Sequence, residues 1–260
     1  DAEVLLATVD FSHPRRVWLP RPRPKFFTAL DPLDFSFARG KKLLALVPED
    51  RLRRILRRLL DENEFLSPHG IRSLSRVYAD QPYCFDEGSE HASVRYSPGD
   101  SPVAMFGGNS NWRGPVWMPM NFLIIEALQK FHYYFGDSFK IEFPTGSGRE
   151  LNLWEISIEL ERRLISLFTV DASGRRPCFG GDPRYAGDRH WQGLVQFFEY
   201  FHGDNGRGLG ASHQTGWTGV IARLMHLFAT LDPERALKGG KRSYAEAQRR
   251  PEVVGAPAGR

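Results

Sequence analysis

The chain has 260 residues, 41% of them hydrophobic, 25% charged and 13% aromatic, with a formal net charge of +4. That balance belongs to a globular protein with material for one large domain or two modest ones. It does not mark a nucleic-acid binder. The basic excess gathers in the first sixty residues (Arg15, Arg16, Arg21, Arg23, Lys41, Lys42 and the run from Arg51 to Arg58) and in the tail from Lys238, without interleaved exposed aromatics. No apolar run reaches the roughly 20 residues of a membrane span, so no membrane partner is expected. The chain opens on Asp1 rather than Met and shows no signal-peptide pattern there. Cys84 and Cys178 lie far apart without zinc-ligand spacing and read as two buried free thiols. A cytoplasmic location is the expectation.

Residues 1–42 carry Pro-rich RPRPK (Arg21 to Lys25) and DPLDFSFARG, with no sustained helical or alternating pattern. They are expected to be poorly ordered or divergent. PEDRLRRILRRLLDE then places Leu52, Ile55, Leu56, Leu59 and Leu60 on one face with arginines opposite, an amphipathic helix opening at Glu49. From Ser67 to Pro115 the chain is rich in Gly, Pro, Ser and Asp, a connection long enough to be functional. A second helix is predicted from Pro119 to Phe135, apolar on nearly every side and therefore covered by neighbours. A third runs from Leu151 to Phe168, an aromatic fourth from His190 to Phe201, and a fifth from Trp217 to Leu231. Residues 238–260 lack apolar periodicity and are expected to be a disordered basic tail. The fold class is all-α.

Two loops carry the chemistry. GGNSNWRGPVW (Gly107 to Trp117) sets Asn109, Asn111, Trp112, Arg113 and Trp117 among glycines and a proline, just ahead of the apolar helix. Trp offers a stacking face, Asn and Arg offer donors to hydroxyls, and Gly admits a close backbone approach. The same residues also read as core anchors, with Arg113 serving a carboxylate or a helix end. FFEYFHGDNGRGLGASHQTGWTG (Phe197 to Gly219) embeds Glu199 among Trp191, Phe197, Phe198, Tyr200 and Phe201, followed by Asp204, Arg207, His213 and Trp217. An acid in such a run is either a solvated helix-end group or a buried one. Burial is how desolvation tunes a carboxyl for acid–base work.

Other chemistries fit less well. His190, His202 and His213 stand 11 or more residues apart, so no metal-binding helical pair exists. There is no phosphate loop and no G-x-S-x-G elbow, and GRGLG (Gly206 to Gly210) has the wrong spacing for a dinucleotide. No metal and no cofactor are expected. Cys178 is conceivable as a nucleophile, but nothing marks a His partner.

Read together, NWRGPVWMPMNFL (Asn111 to Leu123) and FEYFHGDNGRGLG…GWTG (Phe198 to Gly219) resemble the C-terminal catalytic domain of glycoside hydrolase family 63. In the first motif Trp112, Arg113, Gly114, Trp117 and Asn121 match, while Asn111 and Pro119 depart. In the second Glu199, Gly206, Arg207, Gly208, Gly210, Gly216, Trp217 and Thr218 match, with Asn205 where Asp is usual. A third, weaker match is HGIRSLSR (His69 to Arg76). The resemblance covers residues 43–231 in the family's order. It implies an (α/α)6 helical barrel and hydrolysis, with inversion, of α-glycosidic bonds in glucosides or related oligosaccharides. Glu199 would be the general base; Trp112, Arg113, Gly114, Trp117, Asn121, Arg207 and Trp217 would bind the carbohydrate. The family's general acid is an Asp upstream of the first motif, and Asp31, Asp34 and Asp61 are not credible counterparts. A barrel of six helix pairs needs about twice the helices evident here. Residues 43–237 therefore read as the C-terminal part of such a domain, needing the upstream half of the same enzyme as partner. The other readings are a non-catalytic sugar-binding module and a helical scaffold.

Overall fold

The computed structural model describes residues 7–8, 35–38, 41–44, 47–87, 90–101 and 114–230. Most of the segment expected to be divergent, and the whole basic tail, lie outside the described residues. Helix α1 (Glu49–Leu59) has Glu49 and Asp50 in its first turn and Arg57 and Arg58 in its last, an order that complements the helix dipole. Leu52, Leu56 and the following Leu60 are buried, while Ile55 at the margin of the stripe stays exposed. Helix α2 (Met118–Phe135) has Pro119 in its first turn, where a missing N–H breaks no bond, and ends at Gly136 with φ of +70°. Helix α3 (Leu153–Ser166) opens on a capping box: the Asn152 side chain accepts from the Glu155 N–H at 2.9 Å, and the Glu155 carboxylate accepts from the Asn152 N–H at 2.8 Å. Two short helices, α4 (Pro183–Gly187) and α5 (Thr215–Thr218), precede α6 (Val220–Thr230).

Helices α2, α3 and α6 pack on one another and hold the core. Leu153, Ile156, Leu160 and Leu164 of α3 are fully buried, each contributing roughly 1.5–3 kcal/mol of hydrophobic stabilisation. A polar cluster interrupts this interface, with Gln129, Ser157 and Glu161 all buried. Glu161 is 2% exposed and accepts from Gln129 of α2 at 3.1 Å. Desolvation pushes its carboxyl up to about 7, against the opposing pull of the Gln129 bond.

The strands are short and antiparallel. β1 (Ala7–Thr8), β2 (Phe35–Ala38) and β3 (Lys41–Leu44) form a sheet in the order β1–β3–β2. Four two-stranded ribbons follow: β4 (Leu66–Ser67) with β5 (Gly70–Ile71), β6 (Tyr83–Glu87) with β7 (Glu90–Val94), β8 (Lys140–Glu142) with β9 (Glu150–Asn152), and β10 (Tyr200–Phe201) with β11 (Gly208–Leu209). The architecture is thus mostly helical with small ribbons.

Four expectations need correction. The aromatic stretch from His190 to Phe201 is not a helix; it is a series of turns leading into β10. The stretch from Ser67 to Pro115, read as one long connection, holds β5 to β7 and a 3-10 turn at Arg76–Ala79 among its described residues. The fifth helix is divided at Gly219 into α5 and α6. Cys84 is exposed and only Cys178 is buried. Burial pushes the Cys178 thiol up to about 12, so it is no nucleophile near neutral pH.

Candidate active site

Three distant stretches meet at one end of the helices. Val116, the residue before the Trp117 cap of α2, exchanges backbone hydrogen bonds with Phe201 of β10 at 3.1 and 2.9 Å. On its other side Val116 bridges to Arg72, and the Ser73 N–H donates to the Pro115 carbonyl at 2.8 Å. The segment leaving α3 is tied to the same end by the Cys178 N–H on the Leu167 carbonyl at 3.1 Å. The described end of the first loop, Gly114 to Trp117, therefore shares one surface with the second.

Arg72 fastens that surface from below. Its side chain is buried (3% exposed) and donates to the Leu66 carbonyl at 2.5 Å, to the Tyr96 hydroxyl at 3.1 Å, and to the Asp204 carboxylate at 3.4 Å. Asp204 belongs to the turn between β10 and β11. His202 closes that turn from within, its Nδ1 accepting from the N–H groups of Asp204 at 3.2 Å and Asn205 at 3.3 Å. Burial holds the imidazoles of His202 and of His69 below the usual histidine range. A neutral ring is the form in which Nδ1 can accept. The Tyr96 hydroxyl lies where a Cβ on Gly203 would stand.

Glu199 is half-buried just before β10. Its Oε2 accepts from the Ala211 N–H at 3.2 Å. Gly210, with φ of +69°, lies against the carboxylate so closely that a Cβ there would come within 2.5 Å of Oε2. Upstream, the Phe197 N–H donates to the Ser212 carbonyl at 3.0 Å, and the Thr218 hydroxyl donates to the Phe198 carbonyl. Those bonds hold Ser212 and α5 beside the residues that lead through Glu199 into β10. Trp217 of α5 meets Trp117 edge to face, with ring centroids 5.5 Å apart.

The expected sugar contacts divide. Trp117 and Trp217 come together, and both are partly exposed. Arg207 is exposed, its stem against Gly180. Gly114 is buried with φ of +79°, and the Tyr200 ring occupies the place a Cβ would take. Its lack of a side chain admits the tyrosine. Asn121 is 2% exposed, and its amide is committed to the Ile71 N–H at 2.7 Å and to the Ile71 and Trp117 carbonyls at 3.0 Å. It clamps β5 to α2. Trp112 and Arg113, with Asn109 and Asn111, lie outside the described residues.

Arg72, Tyr96 and the Tyr200–Asp100 pair had no role in the sequence reading. The Tyr200 hydroxyl donates to Asp100 at 2.6 Å, and its phenol is pushed up, first by burial and then by that bond. Arg72 stands in HGIRSLSR, so the motif was visible although its work was not. Tyr96 had only its place ahead of a Pro-Gly turn.

Comparison with known proteins gives the class first: the similar proteins of stated activity are glycoside hydrolases. Residues 42–218 match the mannosylglycerate hydrolase MGH1-like glycoside hydrolase domain, and the chain belongs to that family. It is 48% identical over 209 residues to the uncharacterized protein YMR196W of Saccharomyces cerevisiae, covering 79% of this chain and 19% of that protein. A probable mannosyl-oligosaccharide glucosidase of Schizosaccharomyces pombe is 28% identical over 70% of this chain and 16% of its own length. The mannosyl-oligosaccharide glucosidase of Saccharomyces cerevisiae is 22% identical over 71% and 16%. The resemblance to family 63 thus extends to distant homology. The chain spans under a fifth of each of these relatives.

Proposed function

We propose that this segment supplies the water-activating wall of an inverting glycosidase. In this reading Glu199 is the general base for hydrolysis of α-glycosidic bonds in glucosides or related oligosaccharides. The carboxylate itself carries the reading. It is half-buried and fixed through Oε2, while Oε1 has no hydrogen-bond partner among the described residues. A fixed carboxylate with one open oxygen can orient a water and take its proton. Two relatives named as mannosyl-oligosaccharide glucosidases support a sugar substrate.

Inversion requires a second carboxyl about 6.5–9.5 Å from the first, to protonate the leaving oxygen. Asp31 and Asp34 lie outside the described residues, and Asp61 accepts from the Asn63 N–H in the turn after α1. The donor is accordingly proposed to come from a part of the enzyme preceding this segment in the longer relatives. Completion to an (α/α)6 barrel agrees with α2, where Met120 and Leu123 are 47% and 54% exposed, a face for further helices to cover. Trp112 and Arg113 are proposed, from the resemblance alone, to bind the same sugar.

In the full-length gene product, Glu199→Gln is expected to lower kcat by roughly 10²–10⁴-fold with KM little changed. Steady-state kinetics on an α-glucoside test this, and wild-type turnover in the variant would overturn the assignment.

A further inference from the structure

Beside the β10–β11 ribbon, the segment from Cys178 to Tyr185 leaves an open groove of about 580 Å³. That size lies within the roughly 300–1,000 Å³ typical of ligand clefts. Its floor is glycine. Gly180, Gly181, Gly208 and Gly210 line it, and a Cβ added to Gly181 would meet nothing within 4 Å. One wall is Tyr185, half-buried and stacked on Phe179 with centroids 4.0 Å apart and planes 12° off parallel. Arg207 crosses the floor with its stem on Gly180, and its guanidinium has no hydrogen-bond or ion-pair partner among the described residues. Asp182 and Arg184 form an ion pair at 2.5 Å on the same rim. Gly210 is the shared boundary, since it lines the groove and also lies against the Glu199 carboxylate.

We infer that this groove is a second sugar subsite, holding a neutral hexose unit adjacent to the one at the bond attacked. The inference rests on the reading of Glu199 as the base. An aromatic side chain, an uncommitted guanidinium and a carboxylate around a glycine floor match the apolar face and vicinal hydroxyls of a pyranose. Asp182 offsets one of the two arginines, which disfavours a phosphate or polyanion.

The test titrates the full-length gene product, kept from turning over by Glu199→Gln, with glucose, maltose and maltotriose by isothermal calorimetry. Affinity is expected to rise about tenfold from glucose to maltotriose. Tyr185→Ala removes the aromatic wall; Gly181→Asn fills the floor with a residue that tolerates positive φ and touches no core side chain. Each variant is expected to abolish the gain and leave glucose binding unchanged. No gain with Tyr185 and Gly181 intact, or a gain that survives in both variants, overturns the subsite while glucose binding leaves the Glu199 reading intact. Failure of all three sugars to bind overturns both.

Discussion

Glu199 is positioned as much by a missing side chain as by a bond. The Ala211 N–H holds one oxygen, and the bare Gly210 Cα lets the carboxylate settle there. Gly210→Ala introduces a Cβ at positive φ and against that oxygen, and is expected to destabilise the chain by about 1–2 kcal/mol. Glu199→Ala removes the carboxylate and leaves only the Glu199 Cβ, 2.8 Å from that position, so Gly210→Ala should cost less, though not nothing, in that background. A double-mutant cycle from urea midpoints measures the coupling, and strict additivity would show that the two residues do not touch. Other residues separate into what a sequence can and cannot display. The paired tryptophans were legible because loop aromatics among glycines have few uses. The amide of Asn121 was not, because its partners Ile71 and Trp117 become neighbours only after folding, and the first lies 50 positions away.

At the level of elements, α1, α2 and α3 follow their apolar periodicity to within about two residues, as local patterns do when tertiary packing agrees with them. The stretch from His190 to Phe201 failed for a physical reason. Its aromatics are dense enough to suit any period, and its conformation is decided by Val116, a partner outside the stretch. Two-residue strands leave no alternation to read. The α2–α3 interface yields a prediction at this scale. Below its ordinary value of 4.5 the Glu161 carboxyl is protonated in both folded and unfolded chains; between 4.5 and about 7 only the unfolded chain ionises. Stability should therefore fall as pH rises through that window, by roughly 3 kcal/mol at most. Glu161→Gln should remove that slope. Urea titrations from pH 4 to 8 on both proteins test it, and parallel curves would exclude Glu161 as the cause.

Across the whole molecule, the outward side of α2 matters most. A helix bearing Met120 and Leu123 toward solvent is suited to an interior. The paired change Met120→Gln and Leu123→Gln should reduce self-association of the 260-residue chain while shifting Tm by no more than about 2 °C. Sedimentation velocity at several concentrations reads the first effect and calorimetry the second; a large fall in Tm would mean that the face is already covered. One long tie in the site runs the other way, inward. The Arg72–Asp204 pair joins residues 132 positions apart, and closing so long a loop carries an entropy cost that local contacts cannot offset early. The turn that follows Glu199 should consequently lock only after the helices have assembled. Amide exchange in that turn would then report completion of folding, and a chain with every helix formed could still lack a finished site.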